Sequence, residues 1–289
     1  MTIEDLNTKE QNTWCPGCPN NGILLAFKQA VVDLVNEKKV EAKNISVVTG
    51  IGCHAKIYDY VNLNSFYGLH GRVLPLAGGI KLGNPKMKVF GFGGDGDTFS
   101  EGIAHFVHAC RHNPDLTMIV HNNQAFSLTT GQATPTSEQG FKGVSTPQGT
   151  AEGPLNPLKL ALAAGATFVA RGFALDVAHL KDLIKEASDH KGFSFIEVLQ
   201  PCLIFHNATV YFQKNVYKID AGHKTDDFKA AFDLAGQWNY SYDKDEKIPL
   251  GVFYKIKRPT FEEEKPQLKD PWYLSKRNPD WEKITREFK

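Results

Sequence analysis

The sequence predicts an α/β protein built on a doubly wound, mainly parallel sheet, and two observations carry that prediction. Short β-branched or apolar runs alternate with amphipathic segments, the pattern of strand-helix-strand units with right-handed crossovers. The strand runs are also nearly all apolar, as required when helices cover both faces of a sheet. In order, a helix over 21–36 precedes a strand at Ile45–Thr49. A helix over 71–82 and a strand over 88–92 follow, then a helix over 99–111 and a strand over 117–121. A helix over 157–164, a strand over 167–171, a helix over 176–190 and a strand over 194–199 complete the alternation. Residues 125–154 instead run through Ser, Thr, Gln, Gly and Pro without a period. They form a loop long enough to carry function, leaving a strand at the carboxyl edge of the sheet.

After Cys202 the pattern loosens, and past Pro249 it is charged and broken by Pro259, Pro266, Pro271 and Pro279. The expected organisation is therefore an α/β domain over 1–205 and a C-terminal arm over 206–289. Trp272, Tyr273 and Trp281 give the arm apolar anchors for packing on this or a partner subunit, the alternative being a solvated tail. Thirty-three Lys+Arg stand interspersed among 32 Asp+Glu, so no basic footprint for nucleic acid is present. With neither an apolar leader nor an eighteen-residue apolar stretch, the expectation is a soluble cytoplasmic protein without a membrane partner.

Two constellations carry chemistry. The strand over 88–92 runs into Gly93-Gly94-Asp95-Gly96-Asp97 and then a helix. Glycines allow phosphate oxygens to approach the backbone, free amides at a helix start face them, and an aspartate in the turn can hold a bridging magnesium ion. Asn123, 28 residues beyond Asp95, follows the next strand and brings a second oxygen ligand from the neighbouring strand end. A dinucleotide fold is disfavoured, because the turn lacks Gly-x-Gly-x-x-Gly and no acidic residue closes the next strand.

Four of the five cysteines sit in Gly/Pro-rich turns: Cys15 and Cys18 in Trp14-Cys15-Pro16-Gly17-Cys18-Pro19, Cys53 after Gly50-Ile51-Gly52, and Cys202 after Gln200-Pro201. Four thiolates from such turns suit either tetrahedral zinc or an iron-sulfur cubane, and spacing leaves both open. Cys110 falls on the apolar stripe of its helix and reads as a core thiol. His105, His108 and His112 share a helix face, but no carboxylate accompanies them to make a metal site.

Gly94-Asp95-Gly96 followed by Asn122-Asn123 resembles the thiamine-diphosphate motif, in which Asp95, Asn123 and the backbone carbonyl of Ala125 would bind Mg2+. Joined to Trp14-Cys15-Pro16-Gly17-Cys18, Gly50-Ile51-Gly52-Cys53, Leu69-His70-Gly71-Arg72 and Leu128-Thr129-Thr130-Gly131-Gln132, the motif resembles the β subunits of 2-oxoacid:ferredoxin oxidoreductases over nearly the whole chain. The resemblance implies the diphosphate-binding domain of the thiamine-diphosphate-binding fold. Gly52, His70, Gly94, Asp95, Gly96, Asp97 and Leu128 would then line the cofactor, and Cys15, Cys18, Cys53 and Cys202 would bind a 4Fe-4S cluster. It implies oxidative decarboxylation of a 2-oxoacid (2-oxoglutarate, pyruvate or a broad range) to acyl-CoA, with coenzyme A as acceptor of the acyl group and ferredoxin as acceptor of electrons.

Lys56 matches a substrate-side lysine, with an ordinary solvated lysine as the alternative. Thr130 departs from the family's Leu-Thr-Lys-Gly-Gln by removing a cation from the substrate loop. The glutamate that activates the cofactor's aminopyrimidine belongs to a second domain for which one doubly wound pattern leaves no room, so an obligate α subunit is expected to supply it. The competing readings are a non-oxidative thiamine-diphosphate decarboxylase or synthase subunit and a zinc-stapled non-catalytic subunit.

Overall fold

The computed structural model describes residues 1–242, 246–274 and 278–288. Its strands are β1 (Ile45–Thr49), β2 (Asn64–Tyr67), β3 (Lys88–Gly94), β4 (Leu116–Asn122), the short hairpin pair β5 (Ala125–Phe126) and β6 (Gln132–Ala133), then β7 (Phe168–Phe173), β8 (Phe193–Leu199), β9 (Val216–Lys218) and β10 (Ile248–Lys255). Apart from the hairpin they form one eight-stranded sheet in the order β2-β1-β3-β4-β8-β7-β10-β9. The run from β2 to β7 is parallel throughout, and β10 lies antiparallel on β7.

Helices α1 (Asn20–Asn36), α2 (Val73–Gly83), α3 (Ile103–His112), α4 (Pro157–Ala163), α5 (Val177–Asp189), α6 (Thr209–Asn215), α7 (Phe228–Ala235) and α8 (Trp281–Glu287) follow in chain order. Alternation along the strands sorts the core into two layers. Val47, Phe90, Phe92, Ile119, Ile196 and Val198 pack with Phe27 and Val31 of α1 and Leu180 and Ile184 of α5. Their strand neighbours Val48, Val89, Met118, Val120, Phe193 and Phe195 face the other way, onto Leu74 of α2, Phe106 of α3, Leu158 of α4 and Ala231 of α7. Full burial of each large side chain contributes roughly 1.5–3 kcal/mol, which is why strands with no polar face are stable only in this sandwich. Helix α1 comes close enough to the β7–α5 turn that a Cβ on Gly22 would lie 2.1 Å from the Ala174 carbonyl oxygen.

The structure departs from the expected elements in the C-terminal third. The sheet does not end near residue 205, because β9 and β10 extend it and a third apolar group joins Phe173 and Leu199 to Phe212, Trp238, Tyr240 and Ile248. Pro249 occupies the second position of β10, where a missing donor is tolerated beside the three-residue β9. Only the chain beyond β10 runs as an arm, and Trp272, Tyr273 and Trp281 on it are 52%, 75% and 71% exposed. The edge strand β2 also went unread in the sequence, being short and largely exposed. No helix among the described residues is long and apolar enough to cross a membrane.

Candidate functional site

Strand register brings the two halves of the diphosphate motif together. Gly94 of β3 stands opposite His121 of β4, so the turn at Asp95 opens beside Asn122 and Asn123. Asn122 in turn stands opposite Leu199 of β8, which puts Gln200 next to Asn123. On the other side Thr49 of β1 pairs with Phe92, and the chain leaving β1 carries Gly52 and Cys53 to the same edge. Adjacent carboxyl ends of parallel strands are where open α/β sheets bind ligands.

The cleft formed there is about 490 Å³ and is walled by Gly52, His70, Gly94, Asp95, Gly96, Asp97, Asn123, Ala125 and Leu128 among others. All of the expected cofactor and magnesium residues therefore line one space. The glycines are required sterically: a Cβ on Gly94 would sit 2.8 Å from His54 Nδ1, and one on Gly96 2.2 Å from the Phe126 ring. Gly52 has φ +147°, a conformation that side chains rarely adopt.

Asp95 is buried, and its Oδ2 accepts hydrogen bonds from Thr134 Oγ1 at 2.6 Å and Thr136 Oγ1 at 2.7 Å. Burial outweighs these donors and pushes its carboxyl up to about 6. Asn123 presents its atoms in a fixed sense: Nδ2 donates to Gln200 Oε1 at 3.2 Å, and Oδ1 accepts from the Ala125 amide at 3.1 Å. Asp97 differs from the other motif residues. Its Oδ1 accepts from the amides of Gly71 at 2.7 Å and Ile51 at 3.1 Å, clamping two neighbouring loops, and burial raises its carboxyl to about 6. This capture accompanies a change in the expected helix over 99–111. A single π turn, Asp97–Glu101, comes first, and α3 begins only at Ile103.

His70 is half-buried at the cleft, with Nδ1 3.0 Å from Glu101 Oε2 and 3.7 Å from Asp97 Oδ1. Beneath it lie two histidines that sequence reading missed, His54 and His121, both buried and both lining the cleft. Burial holds His121 neutral, down at about 3; its Nδ1 donates to Asn20 Oδ1 at 2.8 Å and its Nε2 has no protein partner. Thr134, Thr136 and Gln200 were missed as well, the threonines because a long aperiodic loop returns them to Asp95.

Cys15, Cys18, Cys53 and Cys202 line a second cavity of about 790 Å³. Burial pushes Cys18 up to about 11 and raises Cys53, with the other thiols adding repulsion and Lys56 opposing it at Cys53. Among the described residues no three His, Cys, Asp or Glu side chains close around a single ion. Lys56 and Thr130 also face this cavity rather than the cofactor cleft, Lys56 Nζ donating to the Thr13 carbonyl at 3.1 Å. Thr130 has φ +77°, a strained position for a β-branched residue. Cys110 is fully buried in the core on α3, and the His105, His108 and His112 group forms no metal cluster among the described residues.

The cleft and thiol cavity share Cys53, Asn123, Ser127, Leu128 and Gln200 as walls. No described residue lining the cleft is Lys or Arg, and Asp95 and Asp97 are its carboxylates. A parallel sheet with a glycine-walled, acid-bearing cleft at its carboxyl edge defines an α/β ligand-binding domain, and comparison with known families gives its class. The family described as "Thiamine pyrophosphate enzyme, C-terminal TPP binding domain" matches residues 50–198. A second family, the C-terminal part of the pyruvate ferredoxin oxidoreductase beta subunit, matches residues 205–270.

The chain is 41% identical over 282 residues to the 2-oxoacid:ferredoxin oxidoreductase subunit beta of Sulfolobus sp, covering 92% of this chain and 89% of the relative. It is 43% identical to the 2-oxoglutarate synthase subunit KorB of Archaeoglobus fulgidus over 65% of this chain and 69% of the relative. A solved 2-oxoglutarate:ferredoxin oxidoreductase from Magnetococcus marinus, with 2-oxoglutarate, coenzyme A and succinyl-CoA bound, superposes at TM-score 0.88 with 32% identity, covering 100% of this chain and 96% of that one. The chain belongs to the β subunits of the 2-oxoacid:ferredoxin oxidoreductases, and is thus a subunit of an oxidoreductase.

Proposed function

We propose that this chain supplies the diphosphate half of an active site for oxidative decarboxylation of a 2-oxoacid, together with the first electron acceptor. The observation that carries the reading is the shared wall: a cofactor cleft and a four-thiol cavity separated only by side chains such as Leu128 and Gln200. Bound thiamine diphosphate supplies the carbon nucleophile and electron sink for decarboxylation, and a 4Fe-4S cluster supplies one-electron acceptance toward ferredoxin. The protein's part is to bind, orient and enclose these groups.

Asp95 and Asn123 side-chain oxygens and the Ala125 carbonyl would hold Mg2+ against the diphosphate, with Thr134 and Thr136 fixing the Asp95 carboxylate. The glycines admit the diphosphate, and Leu128, 45% exposed, offers an apolar support at the cleft mouth. Cys15, Cys18, Cys53 and Cys202, lining one cavity, would hold the 4Fe-4S cluster that the family resemblance implies, with zinc as the alternative that iron content decides. No glutamate lines the cleft among the described residues, which supports an α subunit bringing the activating group, much of the coenzyme A and substrate pocket, and a face for the exposed aromatic arm. The assembly would be cytoplasmic. The relatives named for 2-oxoglutarate make that acid the first substrate to assay, and Lys56 and Thr130 the first residues to vary for substrate range.

Purified anaerobically with its α subunit, the protein should be brown and hold about four iron atoms per chain. Asp95→Ala should abolish Mg2+-dependent binding of thiamine diphosphate while leaving iron in place, and Cys53→Ser should remove iron and ferredoxin reduction. A colourless, zinc-containing complex with full activity would overturn the reading. Formation of aldehyde or acyloin in place of acyl-CoA would favour the non-oxidative alternative.

A further inference from the structure

Gln200 is the first residue after β8 and is buried, with 2% of its surface exposed, between the two cavities. Its amide N–H donates to the Asn122 carbonyl at 2.9 Å, so the strand ladder itself fixes where its side chain starts. Each atom of that side chain is committed. Oε1 accepts from Asn123 Nδ2 at 3.2 Å, while Nε2 donates to the Pro201 carbonyl at 3.1 Å and lies 4.0 Å from Cys18 Sγ. The Pro201 carbonyl can only accept, so the amide nitrogen faces it and the thiol beside it, and the amide oxygen faces Asn123. Asn123 is thereby forced to offer its nitrogen to Gln200 and its Oδ1, which also accepts from Ala125, toward the cleft.

We infer that Gln200 is a positioning residue that couples the cation site of the cofactor cleft to the electron-accepting group on the neighbouring thiols. The inference rests on the proposed function and adds a direction to it. A cation on Asn123 Oδ1 withdraws charge from that amide and strengthens the Nδ2–H donor. Polarisation passes through the Gln200 amide and strengthens Nε2–H as a donor to Cys18 Sγ. Hydrogen bonds to the sulfurs of a cluster favour its more negative, reduced form, so filling the cleft raises the readiness of the acceptor. Electrons would then be accepted most readily when there is a cofactor to give them.

The test uses the anaerobic αβ complex, with the cluster's midpoint potential measured by redox titration in the absence and presence of Mg2+ and thiamine diphosphate. In the wild type the potential should become more positive when both are added. Gln200→Met should have a more negative potential in cofactor-free protein, show no response to Mg2+ and thiamine diphosphate, and need roughly tenfold more Mg2+ for cofactor binding, the usual effect of losing a support behind a metal ligand. Gln200→Glu keeps an acceptor for Asn123 but loses the N–H donor, so its Mg2+ requirement should stay near wild type while the potential response disappears.

A wild-type-sized response in Gln200→Met with normal iron content would overturn the inference. If that variant loses iron, Gln200→Glu decides by the same criterion. Absence of iron or of cofactor binding in the wild type would instead count against the proposed function, and a wild-type potential indifferent to the cofactor would count against the coupling alone.

Discussion

Arg171 and Glu197 face each other on β7 and β8 with no solvent exposure at either side chain, and replacing the arginine should be among the most damaging single changes in the protein. Glu197 Oε2 accepts from Arg171 Nε at 2.6 Å and from Tyr240 Oη at 2.9 Å, and Oε1 accepts from Asn122 Nδ2 at 2.7 Å. The guanidinium also lies 5.4 Å from the Trp238 ring centroid and 5.4 Å from that of Phe253. Arg171→Met preserves much of the volume but leaves a carboxylate at zero exposure with two neutral donors and no countercharge. Removing one partner of such a pair costs roughly 3–5 kcal/mol, because the remaining charge keeps its desolvation penalty.

In Arg171→Met/Glu197→Gln the residual charge is gone and the amide oxygen can still accept from Asn122, so most of that loss should be recovered, leaving about 1–2 kcal/mol. Urea unfolding followed by tryptophan fluorescence is suited to the comparison, since Trp238 packs on the guanidinium. A single variant destabilised by less than about 1 kcal/mol, or a double variant no more stable than the single, would refute the assignment of the energy to a stranded charge. Asn122 Oδ1 also accepts from Thr136 at 3.0 Å, so the single variant should weaken cofactor binding in parallel.

Gly22→Ala drives a Cβ into the Ala174 carbonyl and should cost roughly 1–3 kcal/mol through displacement of α1, visible as a lowered unfolding midpoint; an unchanged midpoint would show that the helix has room. Cys110→Ala should leave iron content unchanged, as its buried thiol stands apart from the four-thiol cavity, and loss of iron would reassign it. Burial, reinforced by Lys255 and opposed by Asp115 and Glu186, lowers His190 from 6.5 to about 4. The unfolded chain therefore binds more protons between those values, and stability should fall on acidification through that window. Comparison of unfolding at pH 7 and pH 5 should show a smaller loss in His190→Gln; equal losses would exclude this histidine as a source.

The parts of the fold legible in the sequence were those whose signal is local. Val47, Val48, Phe90, Phe92, Ile119 and Ile196 sit in runs with no polar face, and only a covered parallel strand suits them. The third core group is less readable, because Trp238 and Tyr240 come from an irregular stretch and meet Phe212 and Ile248 only in three dimensions. Pro249 hid β10 by breaking what would otherwise scan as a strand. In the site, Asp95 and Asn123 were legible because glycine turns and strand ends concentrate their signal. Gln200 was hidden because its place beside Asn123 comes from the β4–β8 register, and Thr134 and Thr136 because a loop has no period to follow. Arg171 and Glu197 left a trace in the sequence, one charge of each sign in two otherwise uncharged strands.

The four thiols also impose an order of events on the making of the protein. Cys15 and Cys18 precede α1, Cys53 follows β1, and Cys202 follows β8, so no contiguous stretch of chain carries the set. Strands β1 and β8 are separated in the sheet by β3 and β4, and the thiols converge only after all four are laid side by side. Such long-range pairing is the slow part of folding. A chain still emerging from the ribosome, with Cys202 unsynthesised, offers three thiols and no finished wall. The complete set of four thiols therefore exists only once the chain has been made through Cys202 and β1, β3, β4 and β8 have paired.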